Sequence, residues 1–87
     1  MTYTRLNNAI QSGFVQADNV TTAETTVHVT FSRAFATTPT VVIGMAGASY
    51  NRRAHVQNES TTGFDVKFAL MSGTTGAWCG ASWIAVV

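Results

Sequence analysis

The chain has 87 residues, of which 46% are hydrophobic and only 10% charged, with a net charge of +1 and a single cysteine. This is one small domain, near the size where a core becomes sufficient without staples, and the lone Cys79 excludes an internal disulfide. A charge this close to neutral excludes the electrostatic footprint expected for nucleic acid or an anionic membrane, and no Cys/His cluster has zinc-ligand spacing.

A surface so poor in charge must be covered by Thr, Ser, Asn and Gly, or by another subunit. No apolar run approaches the roughly 18 residues of a membrane span, so no membrane insertion is expected. The opening "MTYTRLNNAIQSG" lacks a basic region followed by an apolar one, so no signal peptide is expected in this chain.

In chain order, residues 1–9 read as an extended lead-in and residues 10–87 as one domain. "TRLNNAIQSG" has room for a helical turn or two but reads better as extended up to Gly13, and "ADNVTTAE" reads as a turn. "TVHVTF" places Val27, Val29 and Phe31 on one face, with Thr26, His28 and Thr30 on the other, the alternation of a half-buried strand. "TPTVVIGM" is a β-branched run opened by Pro39, which suits the first residue of a strand because it has no N–H to donate.

"RAHVQNE" alternates again, with Ala54, Val56 and, as a candidate, Asn58 opposite Arg53, His55 and Gln57. In "GFDVKFAL", Phe64, Val66, Phe68 and Leu70 face inward, while Asp65 and Lys67 face out. The closing "ASWIAVV" sets Trp83, Ala85 and Val87 against Ile84 and Val86, and both faces read as covered. Short strands separated by turn signals at "ATTPT", "GASYN", "ESTTG" and "SGTTG" predict an all-β, six-stranded antiparallel β-sandwich.

The chain carries little catalytic chemistry. His28 and His55 fall on outward faces of different strands, without a nucleophile elbow, P-loop or metalloprotease motif beside them. Among the four carboxylates, Glu59 and Asp65 flank the "STTG" turn and are the closest approach to the paired acids of glycoside hydrolysis; such positions are also ordinary places for solvated acids. Cys79 has no cationic sequence neighbour to depress its pKa and reads as a small buried hydrophobe. The chain is expected not to be an enzyme and to need no cofactor or metal.

What remains is the chemistry of sugar recognition. A sugar ring stacks its C–H face on an aromatic side chain and offers hydroxyls to Arg, Asn, Asp and Ser. "SYNRRAH" supplies Tyr50, Asn51, Arg52 and Arg53, and "MSGTTGAW" supplies Ser72, Thr74, Thr75 and Trp78. Packing of Tyr50 and Trp78 against the core or a neighbouring subunit is the alternative use of those rings.

In their order, "VHVTFSRAFATTPTVVIG", "NRRAHVQNESTTGFDVKF" and "GASWIAVV" resemble the H-type lectin domain of snail agglutinin and discoidin, which also occurs at the ends of bacteriophage tail and fibre proteins. Phe31, Phe35, Pro39, Val41, Gly63, Phe64, Ser82, Trp83 and Ile84 carry the likeness, and "IQSG" resembles the family's opening strand. The resemblance implies a homotrimer with sugar sites in the clefts between protomers. The terminal strand would then lie with one face in the core and the other near the subunit interface.

The family's sugar-holding arginine maps within one residue of Arg52, but its Trp-His pair falls on Met71 and Ser72 and its later aromatic on Ala77, beside Trp78. Asp18 and Asn19 stand for a shortened acidic loop. Galactosamine specificity is therefore not implied. The Thr-rich composition suits the phage branch. The expectation is a receptor-binding or adhesion domain of a phage or prophage tail or fibre, located on the virion tail or outside the cell. It would bind a cell-surface glycan or polysaccharide through Arg52, Arg53, Trp78, Tyr50, Ser72 and Asp18. The alternative is a structural trimerisation or fibre-tip module without sugar binding.

Overall fold

The computed structural model describes residues 10–46, 51–73 and 76–87. It contains six strands: β1 (Ile10–Val20), β2 (Thr25–Thr30), β3 (Thr40–Ala46), β4 (Arg52–Gln57), β5 (Gly63–Leu70) and β6 (Ala77–Val86). They form two three-stranded antiparallel sheets, ordered β1-β6-β3 and β2-β5-β4. The expected all-β sandwich is what the chain forms, and none of the described residues lies in a helix long and apolar enough to cross a membrane.

The inward alternation supplies the core. Phe64, Val66 and Phe68 on β5 are fully buried and face Cys79, Ala81, Trp83 and Ala85 on β6. One end is filled by an aromatic cluster: the Phe31 ring lies 4.9 Å from Phe35, 5.6 Å from Phe64 and 5.8 Å from Trp83, with Phe64 and Trp83 edge to face at 5.3 Å. Edge-to-face contacts at such spacing add to the area that these rings bury. The Phe and Trp positions that carry the family likeness are therefore also the packing centre.

Three expectations need correction. The chain does not turn at Ala17; β1 continues to Val20, with a bulge between Ala17 and Val20 as it pairs with β6. Asn19 absorbs the extra residue in the left-handed region at φ 56°, a conformation that asparagine tolerates better than most residues, and Val20 returns to the core fully buried. Ile10 to Gly13 are extended, as expected, and lie opposite Val86 to Trp83. At the other end of the ladder β6 begins at Ala77, so Trp78 belongs to a strand rather than to the hairpin loop. Pro39 is buried one position before β3 rather than being its first residue.

The outer faces of the sandwich differ in chemistry. Residues on the β2-β5-β4 side include His28, Asp65, Lys67, Arg53 and His55. On the β1-β6-β3 side, Ile10, Phe14, Val42, Trp78, Ile84 and Val86 are all exposed, at 38% to 57%. β6 is the inner strand of its sheet, as expected, but its outer face stays open in the single chain.

Candidate functional site

Three connections meet at one end of the sandwich. Leu70 donates its backbone N–H to Thr21 at 2.8 Å, and Met71 donates to the Asn51 carbonyl at 2.9 Å. Asn51, at φ 63°, donates its side-chain amide to the Ser72 carbonyl at 3.0 Å and accepts from the Ser72 hydroxyl at 2.9 Å. The segments after β1, before β4 and after β5 are thereby tied into one rim. Ser72, an expected sugar contact, spends its hydroxyl on that tie.

The two consecutive arginines part company because neighbouring residues of a strand face opposite sides. Arg52 lies on the side of Ala54 and Val56 and donates Nε to the Trp78 carbonyl at 2.8 Å, joining β4 to β6 across the sandwich. Arg53 faces the outside of its sheet, with Nη1 3.4 Å from the Glu24 carboxylate. One site cannot take both guanidinium groups from the same side.

Trp78 stands at the end of the open β1-β6-β3 face, 44% exposed. The bulge sets Asp18 and Asn19 against it, because Ala17 pairs with Cys79 and Val20 with Ala77. Asp18 is exposed and accepts a long contact of 3.5 Å from the Gln16 amide. Next along β6 comes Gly80, buried beneath two rings: a Cβ placed there would lie 2.6 Å from Phe14 Cζ and 2.6 Å from Trp78 Cζ3. A side chain would hold these rings off the strand, and glycine lets both settle on its backbone.

This strip is an aromatic ledge, Phe14 and Trp78, edged by the Asp18 carboxylate and the Gln16 amide. Flat apolar rings beside hydrogen-bonding groups suit a ligand with C–H faces and hydroxyls. Of the expected contacts, the structure brings Trp78 and Asp18 together, holds Arg52 behind Trp78, and leaves Arg53 on the opposite side of the sandwich. Tyr50, Thr74 and Thr75 lie outside the described residues. Phe14 and Gln16 were not anticipated; period-two alternation in "IQSGFVQAD" is the signal that identifies them once that segment is taken as a strand.

Asp65 accepts from the Asn58 amide at 2.9 Å and contacts His28 Nδ1 at 2.7 Å. These two hydrogen bonds, Asn58 first, hold its carboxyl below the ordinary range. The Asp65 carboxylate thus has its partners on its own sheet, where Glu59 was expected to approach. Burial pushes the Cys79 thiol up, partly opposed by the charge of Arg52 and a hydrogen bond from it, which fits an inert core residue.

The family profile of the H-type lectin domain matches residues 26–86, most of the chain and five of its six strands. The chain belongs to the H-type lectin domain family. Similar solved structures are the tailspike protein of Pseudomonas phage LKA1, with 23% identity and a TM-score of 0.74 over 87% of this chain, and the N-truncated R1-type pyocin tail fibre, with 16% identity and a TM-score of 0.72 over 90%. The tailspike of Pseudomonas phage phi297 is similar too, with 18% identity and a TM-score of 0.71 over 90%.

This H-type lectin domain spans 14% and 15% of the two tailspike chains and 69% of the pyocin fibre chain. No curated protein sequence matches it. Where the family likeness places a Trp-His pair, this domain has Met71, 62% exposed, and Ser72 on the rim. Among the described residues, the exposed aromatic rings are Phe14 on β1 and Trp78 on β6.

Proposed function

We propose that this H-type lectin domain is the receptor-binding module of a phage or prophage tail or fibre, acting without catalysis as a multivalent homotrimer on a cell-surface glycan. The observation that carries the reading is Trp78, exposed beside Asp18 in a domain of a lectin family. The neighbouring folds in tailspikes and a tail fibre support placement on the virion tail or another extracellular particle.

The apolar outer face of β1-β6-β3 supports self-association, since Phe14, Val42, Ile84 and Val86 offer water no polar group. Trp78 lies at the end of that face, where a cleft between packed copies would open. A single shallow sugar site binds weakly, and three sites on one rigid body add avidity when the receptor repeats at matching spacing.

A second reading, a structural module whose contacts between copies are its whole role, is favoured by the rim. Asn51 and Ser72 are spent on each other, and Arg52 Nε on a backbone carbonyl. The experiment is binding of the purified domain, with its mass checked by light scattering, to an array of bacterial and animal surface glycans. Saturable binding that free sugar blocks supports the lectin reading. A folded oligomer that binds nothing on the array overturns it in favour of the structural one.

A further inference from the structure

The outer face of β2-β5-β4, opposite the aromatic ledge, carries a cluster that the reading above leaves unused. His55 on β4 lies directly opposite Lys67 on β5, and Arg53 lies opposite Ala69. On the far side of β5, Thr25 pairs with Phe68, which sets Glu24 beside Ala69. The small, fully buried Ala69 leaves a low seat between Glu24 and Arg53.

Into that seat Glu24 brings one carboxylate for three nitrogen groups. Arg53 Nη1 lies 3.4 Å from Oε2, His55 Nε2 lies 4.0 Å from the same oxygen, and Lys67 Nζ lies 3.9 Å from Oε1. All three contacts are longer than the roughly 2.7 to 2.9 Å of a committed charge-assisted hydrogen bond. The side chains remain 27% to 49% exposed, and pairs this exposed add little to stability. Glu24 also lies in the connection before β2, outside the ladder, so its carboxylate can swing away without unpairing a strand.

The other acid on this face, Asp65, is hydrogen-bonded by Asn58 and His28, and of Glu24's three partners it feels the charge of Lys67 alone. The charges of Arg53, Lys67, Glu24 and Asp65 cancel, but their distribution is uneven: around Glu24 the donors outnumber the acceptor. Such a seat fits an incoming anion better than a neutral hydroxyl.

We infer that Arg53, His55 and Lys67 form a subsite for an acidic group, a carboxylate or phosphate carried by the glycan, and that Glu24 fills this subsite until the ligand displaces it. The inference rests on the glycan-binding reading and adds the ligand's charge to it. The face lies opposite the apolar one, so packing of copies through β1-β6-β3 leaves it open.

The test is calorimetric titration of the domain with three probes, a tetragalacturonate, a glycerol-phosphate oligomer and neutral maltotetraose, at low and high salt. An acidic probe is expected to bind about tenfold or more tighter than the neutral one, and to weaken with salt. Arg53→Gln and Lys67→Gln should each weaken the acidic probe about fivefold, and Glu24→Gln should tighten it. Circular dichroism checks that each variant is folded.

Equal affinity for acidic and neutral probes, no binding of either acidic probe, or weaker acidic binding in Glu24→Gln overturns the subsite. The carboxylate and phosphate probes distinguish the two sources of charge. Saturable binding to neutral glycans on the array would leave the lectin reading standing after such a result, and binding to nothing there would remove both.

Discussion

Arg52 on β4 and Trp78 on β6 belong to different sheets and are joined by a hydrogen bond from Arg52 Nε to the Trp78 carbonyl at 2.8 Å. The bond fixes the start of β6 against the rim and so sets the height of the exposed indole. A guanidinium expected to touch ligand is positioned behind the aromatic ring instead.

Removal of that bond should therefore be read first as a change in stability. Arg52→Ala is expected to cost about 1 to 2 kcal/mol, somewhat below the usual range for a charged hydrogen bond because the group is partly exposed. For a domain of this size that lowers Tm by about 4 to 8 °C per kcal/mol. Thermal unfolding followed by circular dichroism measures it, and an unchanged Tm would show that the tie between the sheets contributes nothing.

Gly63, in the "TGF" turn, is fixed by a closer constraint. A Cβ there would run into the backbone carbonyl of Val29 on the neighbouring strand, which has no room to yield. The turn around it is closed by Ser60, whose N–H donates to the Gly63 carbonyl at 2.9 Å and whose hydroxyl accepts from the Thr62 and Gly63 N–H groups at 3.2 Å. Gly63→Ala is expected to destabilise by about 3 kcal/mol or more, the upper range for overpacking. Urea unfolding measures this, and retention of the wild-type midpoint would show that β2 and β5 can separate there at no cost.

Asp65 gives the fold an acid limit. Its folded-state pKa lies below the unfolded value because Asn58, then His28, hydrogen-bond the carboxylate. Such a group stabilises the fold above its unfolded pKa of about 3.9, and the contribution disappears as pH falls through the lower folded value. Urea midpoints measured downward from pH 5 should therefore fall below about pH 4 in the wild type and fall less in Asp65→Asn. Parallel curves would mean that these hydrogen bonds persist in the unfolded chain or add nothing.

How far these relationships could be read from the sequence depends on their range. The alternation in "GFDVKFAL" and "SWIAVV" reveals both central strands and their buried faces, because each side chain there reports its own environment. In β1 the outward Ser12, Gln16 and Asp18 and the consecutive Asp18-Asn19 look like a turn, and only pairing with β6 shows that Asn19 is a bulge. The split between Arg52 and Arg53 is visible in the alternation of β4. The gathering of Glu24 with Arg53, His55 and Lys67 needed the strand order β2-β5-β4, which no local pattern contains.

The open face of β1-β6-β3 makes the sharpest prediction about assembly. Ile84 lies near its centre, between Ser12 on β1 and Val42 on β3, and is 41% exposed in the single chain. If copies pack through this face, Ile84→Glu buries a carboxylate in contact with apolar neighbours, a penalty of several kcal/mol per ion that a weak interface cannot offset. The fold itself should survive, because the side chain points away from the core. Light scattering should then report a single 9.3 kDa chain, where the proposed wild-type homotrimer is expected at three times that mass. Gly80→Ala offers an independent check, since its methyl group must lift the Phe14 and Trp78 rings off the strand without touching Ile84. It should weaken assembly while shifting the Trp78 emission and sparing that of the buried Trp83. A trimer of unchanged stability in both variants would place the contacts between copies on another surface, and the aromatic ledge would then be free to serve the ligand alone.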